Sequence, residues 1–333
     1  MSLPPSEIPS GAMRFNSDSQ KLEYYNGAQW LQVSTFSPLL NGGARGVFGG
    51  GYKAPGGAVN NIDYINISSA GNAQDFGDLA INAVYGHMMC ASSTRGIVAG
   101  GAPGPAANIN VIQYITISSL GDTQDFGDLT ITSYQGVGLS NASRGIFFNI
   151  GATNIIDYIT IASTGNAQDF GDSIFAISTR QIPSSCSSST RGICAGGGFP
   201  SVINTIEYIT IATRGDSQDF GDLTSAKRGS AGCSNATRGV FGPGGPGGGT
   251  QVDYITIATL GNAVNFGNLI TSGSTDNQAS ASSPTRGVFG NRTPGNTIEY
   301  ILIATQGNAV DFGDLISLAT SDTVGTSNAH GGL

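Results

Sequence analysis

Apolar and polar side chains alternate through Ile206-Glu207-Tyr208-Ile209-Thr210-Ile211-Ala212-Thr213, after which the chain turns at Gly215. A period of two belongs to a strand with one face turned inward. A second short run follows, Asp219-Phe220-Gly221-Asp222-Leu223. The same wording returns along the chain. The Asp/Asn-Phe-Gly core recurs at Phe76, Phe126, Phe170, Phe220, Phe266 and Phe312, each preceded by a Tyr-Ile core at Tyr64, Tyr114, Tyr158, Tyr208, Tyr254 and Tyr300. Arg-Gly before an apolar pair recurs at Arg45, Arg95, Arg144, Arg191, Arg238 and Arg286, with gaps of 50, 49, 47, 47 and 48 residues. Six copies at so even a spacing define a repeat architecture.

Each copy predicts four strands. Around Arg238 they are 229–234, 238–242 ending in a glycine-rich loop, 252–258, and 264–269. Helix signals are absent, since β-branched and aromatic residues alternate with polar ones and glycine punctuates every segment. Four strands per repeat, six times over, predict an all-β fold: a six-bladed β-propeller over residues 41–333. Val324-Gly325-Thr326-Ser327-Asn328 echoes Ala231-Gly232-Cys233-Ser234-Asn235, whereas the first repeat begins at its second strand near Arg45. The C-terminal strand is therefore expected to become the innermost strand of the first blade, closing the ring and pairing its edges.

Residues 1–40 do not fit the repeat. Asn26-Gly27 between aromatic, alternating segments is a strong hairpin signal, and Asn16-Ser17-Asp18-Ser19 supplies a second turn, so a small three-stranded β-meander is expected. Some thirty residues bury little core alone. The segment is expected to lean on the rest of the chain, on its own copies in an oligomer, or on a larger assembly. Its wording, Gly11-x-Met13-Arg14-Phe15-Asn16-Ser17 followed by Leu22-Glu23-Tyr24-Tyr25-Asn26-Gly27-x-x-Trp30, resembles a short module of tailed-bacteriophage fibre and other virion proteins. The resemblance covers residues 11–33. It implies an attachment module in which Arg14, Tyr24, Tyr25 and Trp30 are the candidate residues and other virion proteins the partners.

The glycine-ended second strands, with Gly49-Gly50-Gly51, Gly100-Gly101 and Gly196-Gly197-Gly198, resemble the kelch blade. The match is incomplete: Phe148-Asn149-Ile150-Gly151 and Gly290-Asn291-Arg292 break the doublet, and Trp30 is the sole tryptophan, so the usual kelch tryptophan is missing. The signature phenylalanine is expected to take its packing place. Tandem blades of this wording also resemble propeller repeats in virion proteins of marine phages.

Composition narrows the function. The net charge of −8, with Lys21, Lys53 and Lys227 the only lysines, gives no basic footprint for nucleic acid or an anionic membrane. No apolar run approaches a transmembrane helix, and Met1–Glu7 has neither the basic region nor the apolar core of a signal peptide. Cys90, Cys186 and Cys233 each precede a repeat arginine by five residues, where Leu139 and Ala281 stand in other copies; they read as one buried small-apolar position. Cys194 could approach Cys186 across a turn.

Candidate chemistry is sparse. The paired aspartates Asp75/Asp78, Asp125/Asp128, Asp169/Asp172, Asp219/Asp222 and Asp311/Asp314 become Asn265 and Asn268 in the fifth copy. Two oxygens per copy fall short of a calcium cage, so turn and inter-blade hydrogen bonding is expected of them. The six arginines are expected to pair with carboxylates of a neighbouring blade. His87 and His330 have no partner at a catalytic spacing. No cofactor or metal is expected, and no enzyme.

Variation is confined to the loops between strands two and three and between repeats, which a meander places on one face. The candidate binding residues there are Tyr52, Lys53, Tyr85, His87, Tyr134, Phe175, Phe199, Lys227, Arg228 and Arg292. Variable loops on a regular scaffold are a usual way to build a binding surface. With the phage resemblance, they imply a virion protein, in tail fibre, tail tip or capsid decoration, that recognises a host glycan or outer-membrane protein. The alternative is a purely structural propeller joining virion parts. A glycan-cleaving enzyme would need one carboxylate pair set apart in a cleft, not a pair in every copy.

Overall fold

The computed structural model describes residues 8–16, 21–32, 44–53, 57–81, 85–103, 108–149, 153–174, 182–198, 201–245, 249–271, 278–290, 295–316 and 321–333. The chain divides into two units, Met1–Leu40 and Asn41–Leu333. Among the described residues every regular element is a strand.

In the first unit Met13–Asn16, Lys21–Tyr25 and Trp30–Gln32 form one antiparallel sheet in chain order. Its turn spans residues 26–29: the Asn26 side-chain oxygen accepts from the N–H groups of Ala28 and Gln29 at 2.9 and 2.8 Å, and Gly27 sits at φ 97°. Arg14 bridges Glu23 at 2.9 Å and lies 4.2 Å above the Trp30 ring, which packs on Tyr25. Asn16 and Arg14 both donate to Glu23 and hold its carboxyl below the usual carboxylate range. Tyr24 points to the opposite, exposed side with Met13, Phe15 and Leu22.

The second unit contains six four-stranded antiparallel sheets among its described residues. Sheet four shows the plan: Ser184–Ser187, Arg191–Ala195, Thr205–Thr210 and Gln218–Asp222, hydrogen-bonded in chain order. Sheets two, three, five and six repeat it from first strands Met88–Ala91, Val137–Ser140, Gly232–Ser234 and Ala279–Ser282. Sheet one takes its first strand from the far end of the sequence: Val324–Ser327 pairs with Arg45–Gly49, which pairs with Asn61–Asn66 and then Gln74–Asp78. The turn before each arginine explains how well this join imitates the others. Asn141 and Asn235 accept from the N–H of the arginine three residues on, at 2.9 and 2.8 Å, and Asn328 does the same for Arg45, 283 residues away, at 2.8 Å.

The repeated words of the sequence are contacts between sheets. Each repeat arginine stacks on the tyrosine of its own sheet, within 4.6–5.1 Å of the ring centre. Its Nη1 donates to a backbone carbonyl of the next sheet: Arg45 to Ile117, Arg95 to Ile161, Arg144 to Ile211, Arg191 to Ile257, Arg238 to Ile303 and Arg286 to Ile67. The expected carboxylate partners are thus replaced by carbonyls, which a planar fork satisfies without burying a counter-charge. The tyrosine ring in turn meets the buried signature phenylalanine edge-on, with centroids about 6.0 Å apart.

At five of the six repeats, all but Gly96, the glycine after the arginine is where the preceding sheet inserts a side chain. A Cβ on Gly145, Gly239 or Gly287 would lie 2.8, 2.5 and 2.5 Å from the sulfurs of Cys90, Cys186 and Cys233, and one on Gly46 would lie 2.8 Å from Ala281. The four cysteines are buried free thiols; burial pushes Cys90, Cys186 and Cys233 upward, which suits packing rather than reactivity. Outer turns repeat the logic. Gly121 N–H donates to the Phe76 carbonyl at 2.8 Å, and Gly71 N–H to that of Phe312 at 2.7 Å, so sheet one meets both sheets two and six. The turn residues Asn72, Asp122, Asn166, Asp216, Asn262 and Asn308 accept from the N–H that follows the Phe-Gly pair of the preceding sheet. Between-sheet bonding therefore falls to these turns; Asp75 and Asp78 stay exposed.

Candidate functional site: the axial cavity and its loop rim

First strands of successive sheets run side by side. They come close because small residues alternate: a Cβ on Gly138, Gly232 or Gly325 would lie 2.5, 2.3 and 2.4 Å from the carbonyl oxygens of Met89, Ser185 and Ser280. Serine hydroxyls bond across the same seams. Ser140 donates to Ala91, Ser187 to Ser140 and Ser234 to Ser187, each at 2.7 Å, and Ser327 donates to Ser282. The strands enclose a cavity of about 110 Å³ lined by residues of all six sheets.

Ala91 stands where five sheets carry a serine, and His330 comes to that place. Its Nε2 lies 2.8 Å from the Ala91 carbonyl and 3.2 Å from Ser140 Oγ, while its Nδ1 accepts from Gly332 N–H at 3.1 Å. The sequence offered no such serine partner, because 190 residues separate the two. The pair is not arranged as nucleophile and base. With Nδ1 accepting, Nε2 carries the proton and points it at a carbonyl, and Ser140 spends its own proton on that same carbonyl. Burial lowers the His330 pKa and keeps the ring neutral.

At the other end of the cavity lie the variable loops. Tyr52, Tyr85 and Tyr134 come together there, edge-to-face, with centroid separations of 5.6 and 5.5 Å. All three rings are half-buried. Tyr85 pairs with Ala102 and Tyr52 with Ser321 through isolated backbone bridges, which fix loops from different repeats against one another. Gly86, at φ 65°, lets the Tyr134 ring lie flush, since a Cβ there would fall 2.3 Å from the ring. Lys53 is exposed beside Tyr52.

Two expected surface residues are interior ones. His87 is 1% exposed and lines the cavity. Lys227 is 5% exposed and its Nζ sits 2.8 Å from Asp253; desolvation lowers its pKa and the Asp253 charge opposes that shift. Both sit beside the left-handed glycine that leads the chain back into a first strand, His87 just after Gly86 and Lys227 two residues before Gly229, and both side chains are buried. Arg228 is half-buried, with Nη1 3.5 Å from the Gly198 carbonyl. Phe175, Phe199 and Arg292 lie outside the described residues.

A ring of buried polar groups went unnoticed in the sequence. Asp63, Gln113, Asp157, Glu207, Asp253 and Glu299 occupy the place before each repeat tyrosine and are all buried. Each accepts from the end of the fourth strand of the preceding sheet or the segment just beyond it, as Gln113 does from Ala80 N–H at 3.1 Å, Asp157 from Thr130 N–H at 3.0 Å, and Glu299 from the N–H groups of Ile270 and Thr271 at 2.7 and 2.8 Å. Desolvation raises the Asp157 pKa against the donors Thr130 and Asn149. The signal was available, for this place always holds an acid or an amide. These carboxylates are consumed by structure. Among the described residues no group of three or more His, Cys, Asp or Glu could hold a metal ion, and no helix is long and apolar enough to cross a membrane. No family model matches the sequence, and no curated protein matches it either.

Proposed function

We propose that residues 41–333 form a closed six-bladed, kelch-like propeller and that the protein is a non-enzymatic virion component of a tailed phage. In this reading residues 1–40 attach it to other virion proteins. The loop face bearing Tyr52, Lys53, Tyr85 and Tyr134 recognises a glycan or outer-membrane protein of the host. Closure is supported by the unbroken succession of between-sheet bonds, from Arg45 to Ile117 through to Arg286 to Ile67.

One observation carries the functional part. Every repeated side chain (arginine, glycine, tyrosine, phenylalanine, turn Asn/Asp, buried acid) bonds within or between sheets, while the aromatic trio belongs to the loops that differ from repeat to repeat. A tyrosine offers a broad apolar face and a polar hydroxyl with little entropy to lose on binding. Many copies on one particle would convert weak contacts into firm attachment. The test uses particles carrying Tyr52→Ala with Tyr85→Ala. Normal assembly with lost adsorption is expected. Failed assembly would make the propeller a structural joint, and normal adsorption would remove the trio from recognition.

A further inference from the structure

The six repeats act as one another's control at their exposed positions. In sheets one to four the tyrosine hydroxyl donates to a glutamine directly across the sheet, Tyr64 to Gln74 at 2.5 Å and Tyr114, Tyr158 and Tyr208 to Gln124, Gln168 and Gln218 at 2.6 Å. Sheets five and six place Val264 and Val310 there instead, 52% and 53% exposed, across from Tyr254 and Tyr300. The third strand ends on asparagine or threonine in five sheets, but on Leu302, 51% exposed, in sheet six. An exposed aliphatic side chain in place of a hydrogen-bonded glutamine brings the isolated fold nothing. Such local breaks in an otherwise consistent pattern, when apolar and rimmed by polar groups, mark contact surfaces.

The three departures surround one turn. Residues 303–309 follow Leu302 and lead into Val310. Within them Gly307 N–H and Gln306 Nε2 donate to the carbonyls of Phe266 and Asn265 at 3.0 and 2.8 Å, on the strand that opens with Val264. Leu302 lies two residues beyond Tyr300 and so shares its face of the sheet, with Val310 directly across from that tyrosine. Charge thins out here as well. Asn265 and Asn268, both exposed, replace the paired aspartates of the other five sheets, and the turn carries Gln306 and Asn308 where sheet four has Arg214 and Asp216. Sheet six keeps Asp311 and Asp314. Half-buried Tyr254 and Tyr300 each carry a stacked arginine, Arg238 and Arg286. Tyrosine, arginine and apolar side chains with few acids are the make-up of an interface core.

The charge pattern selects the occupant. A basic partner would be attracted by the aspartates and loses that attraction where amides replace them. An acidic partner gains from the same change, because like charges facing across an interface repel. The chain itself carries a net charge of −8, and a two-fold contact lays the same aliphatic patch of one copy against that of another. We infer that the turn end of sheets five and six is a self-association surface, on which Val264, Leu302 and Val310 of two copies of this chain pack together. Three half-exposed aliphatic side chains make a small contact, at the weak end of the interface range, so the dimer forms in a concentration-dependent way. The inference is independent of what the loop face recognises.

The test is sedimentation equilibrium of the full chain over a concentration series that reaches the high micromolar range. A reversible monomer–dimer equilibrium is expected. The triple variant Val264→Gln, Leu302→Thr, Val310→Gln gives each position the residue that its counterparts hold. It should therefore fold, with the new glutamines accepting from Tyr254 and Tyr300, and its dissociation constant should rise about tenfold or more. Asn265→Asp with Asn268→Asp leaves the aliphatic side chains in place. It should also weaken the dimer, added salt should recover much of that loss, and it decides the matter by itself should the triple variant not fold. Three results would overturn the inference: a monomer at every concentration, a dimer that the folded triple variant leaves unchanged, or association that the added aspartates leave unchanged or strengthen. A monomeric wild type whose folded triple variant no longer enters particles would assign the surface to a different virion protein and not to a second copy.

Discussion

Replacing Gly239 by alanine probes the packing of sheet four on sheet five and the Arg-Gly motif at once. The added Cβ would sit 2.5 Å from Cys186 Sγ and 3.2 Å from Ile255 Cγ1. Ile255 can yield a few tenths of an ångström. The sulfur cannot, because Cys186 lies on a strand bonded to Arg191–Ala195 on one side and packed against the first strand of sheet five on the other. Overpacking of this kind costs about 1–3 kcal/mol, and the rigid surroundings point to the upper half of that range. Removing the sulfur alone, as Cys186→Ala, should cost about 1 kcal/mol in lost packing. The double variant should be far better than the sum, with a coupling of roughly 1–3 kcal/mol. Urea unfolding followed by tyrosine fluorescence measures it, since Trp30 belongs to the other unit. Gly290→Ala is the control, because its nearest neighbour would lie 3.6 Å away. Additivity within about 0.5 kcal/mol would refute the wedge.

Lys227→Met leaves Asp253 buried without its cation and should destabilise by about 3 kcal/mol, near the low end for a broken buried pair because Thr224 and Gln251 still donate to Asp253; thermal unfolding checks it, and adding Asp253→Asn should restore part of the loss. His330 supplies a pH dependence. Its folded pKa lies below the ordinary 6.5, so the unfolded chain takes up the proton first, and stability is full above that value and falls as pH drops through 6.5 toward the folded pKa. Unfolding midpoints between pH 7 and 5 should decline more in the wild type than in His330→Gln, and equal declines would show that the ring does not titrate as described.

The repeat, its strands and the pairing of residues 324–327 with 45–49 were legible because alternation and a near-constant period survive in the wording itself. The arginine's partner was not, since a backbone carbonyl such as that of Ile117 has no letter of its own. Period two also misled at Glu207. An alternating strand implies a wet face, but sheets packed on both sides bury that face too, and a register shift between Ile206 and Glu207 turns the acid toward the neighbouring sheet. His87 and Lys227 read as loop residues because loop membership is a property of sequence, whereas their burial depends on how the chain turns at the adjacent Gly86 and Gly229. The Ser140–His330 approach joins residues from opposite ends of the unit and could only emerge from the fold.

The joining of Asn328 to Arg45 has a consequence for biosynthesis. A ribosome adds about 5–20 residues per second, so the 283 residues between them take roughly 15–55 s to appear. Sheets two to six can each complete themselves from contiguous chain as it emerges. Through that interval the strand Arg45–Gly49 waits with one edge unpaired, its glycines and its neighbours the only guard against a strand from another nascent chain. Slow translation or a truncated product would lengthen that exposure, and mispaired chains, rather than unfolded ones, would be the expected by-product.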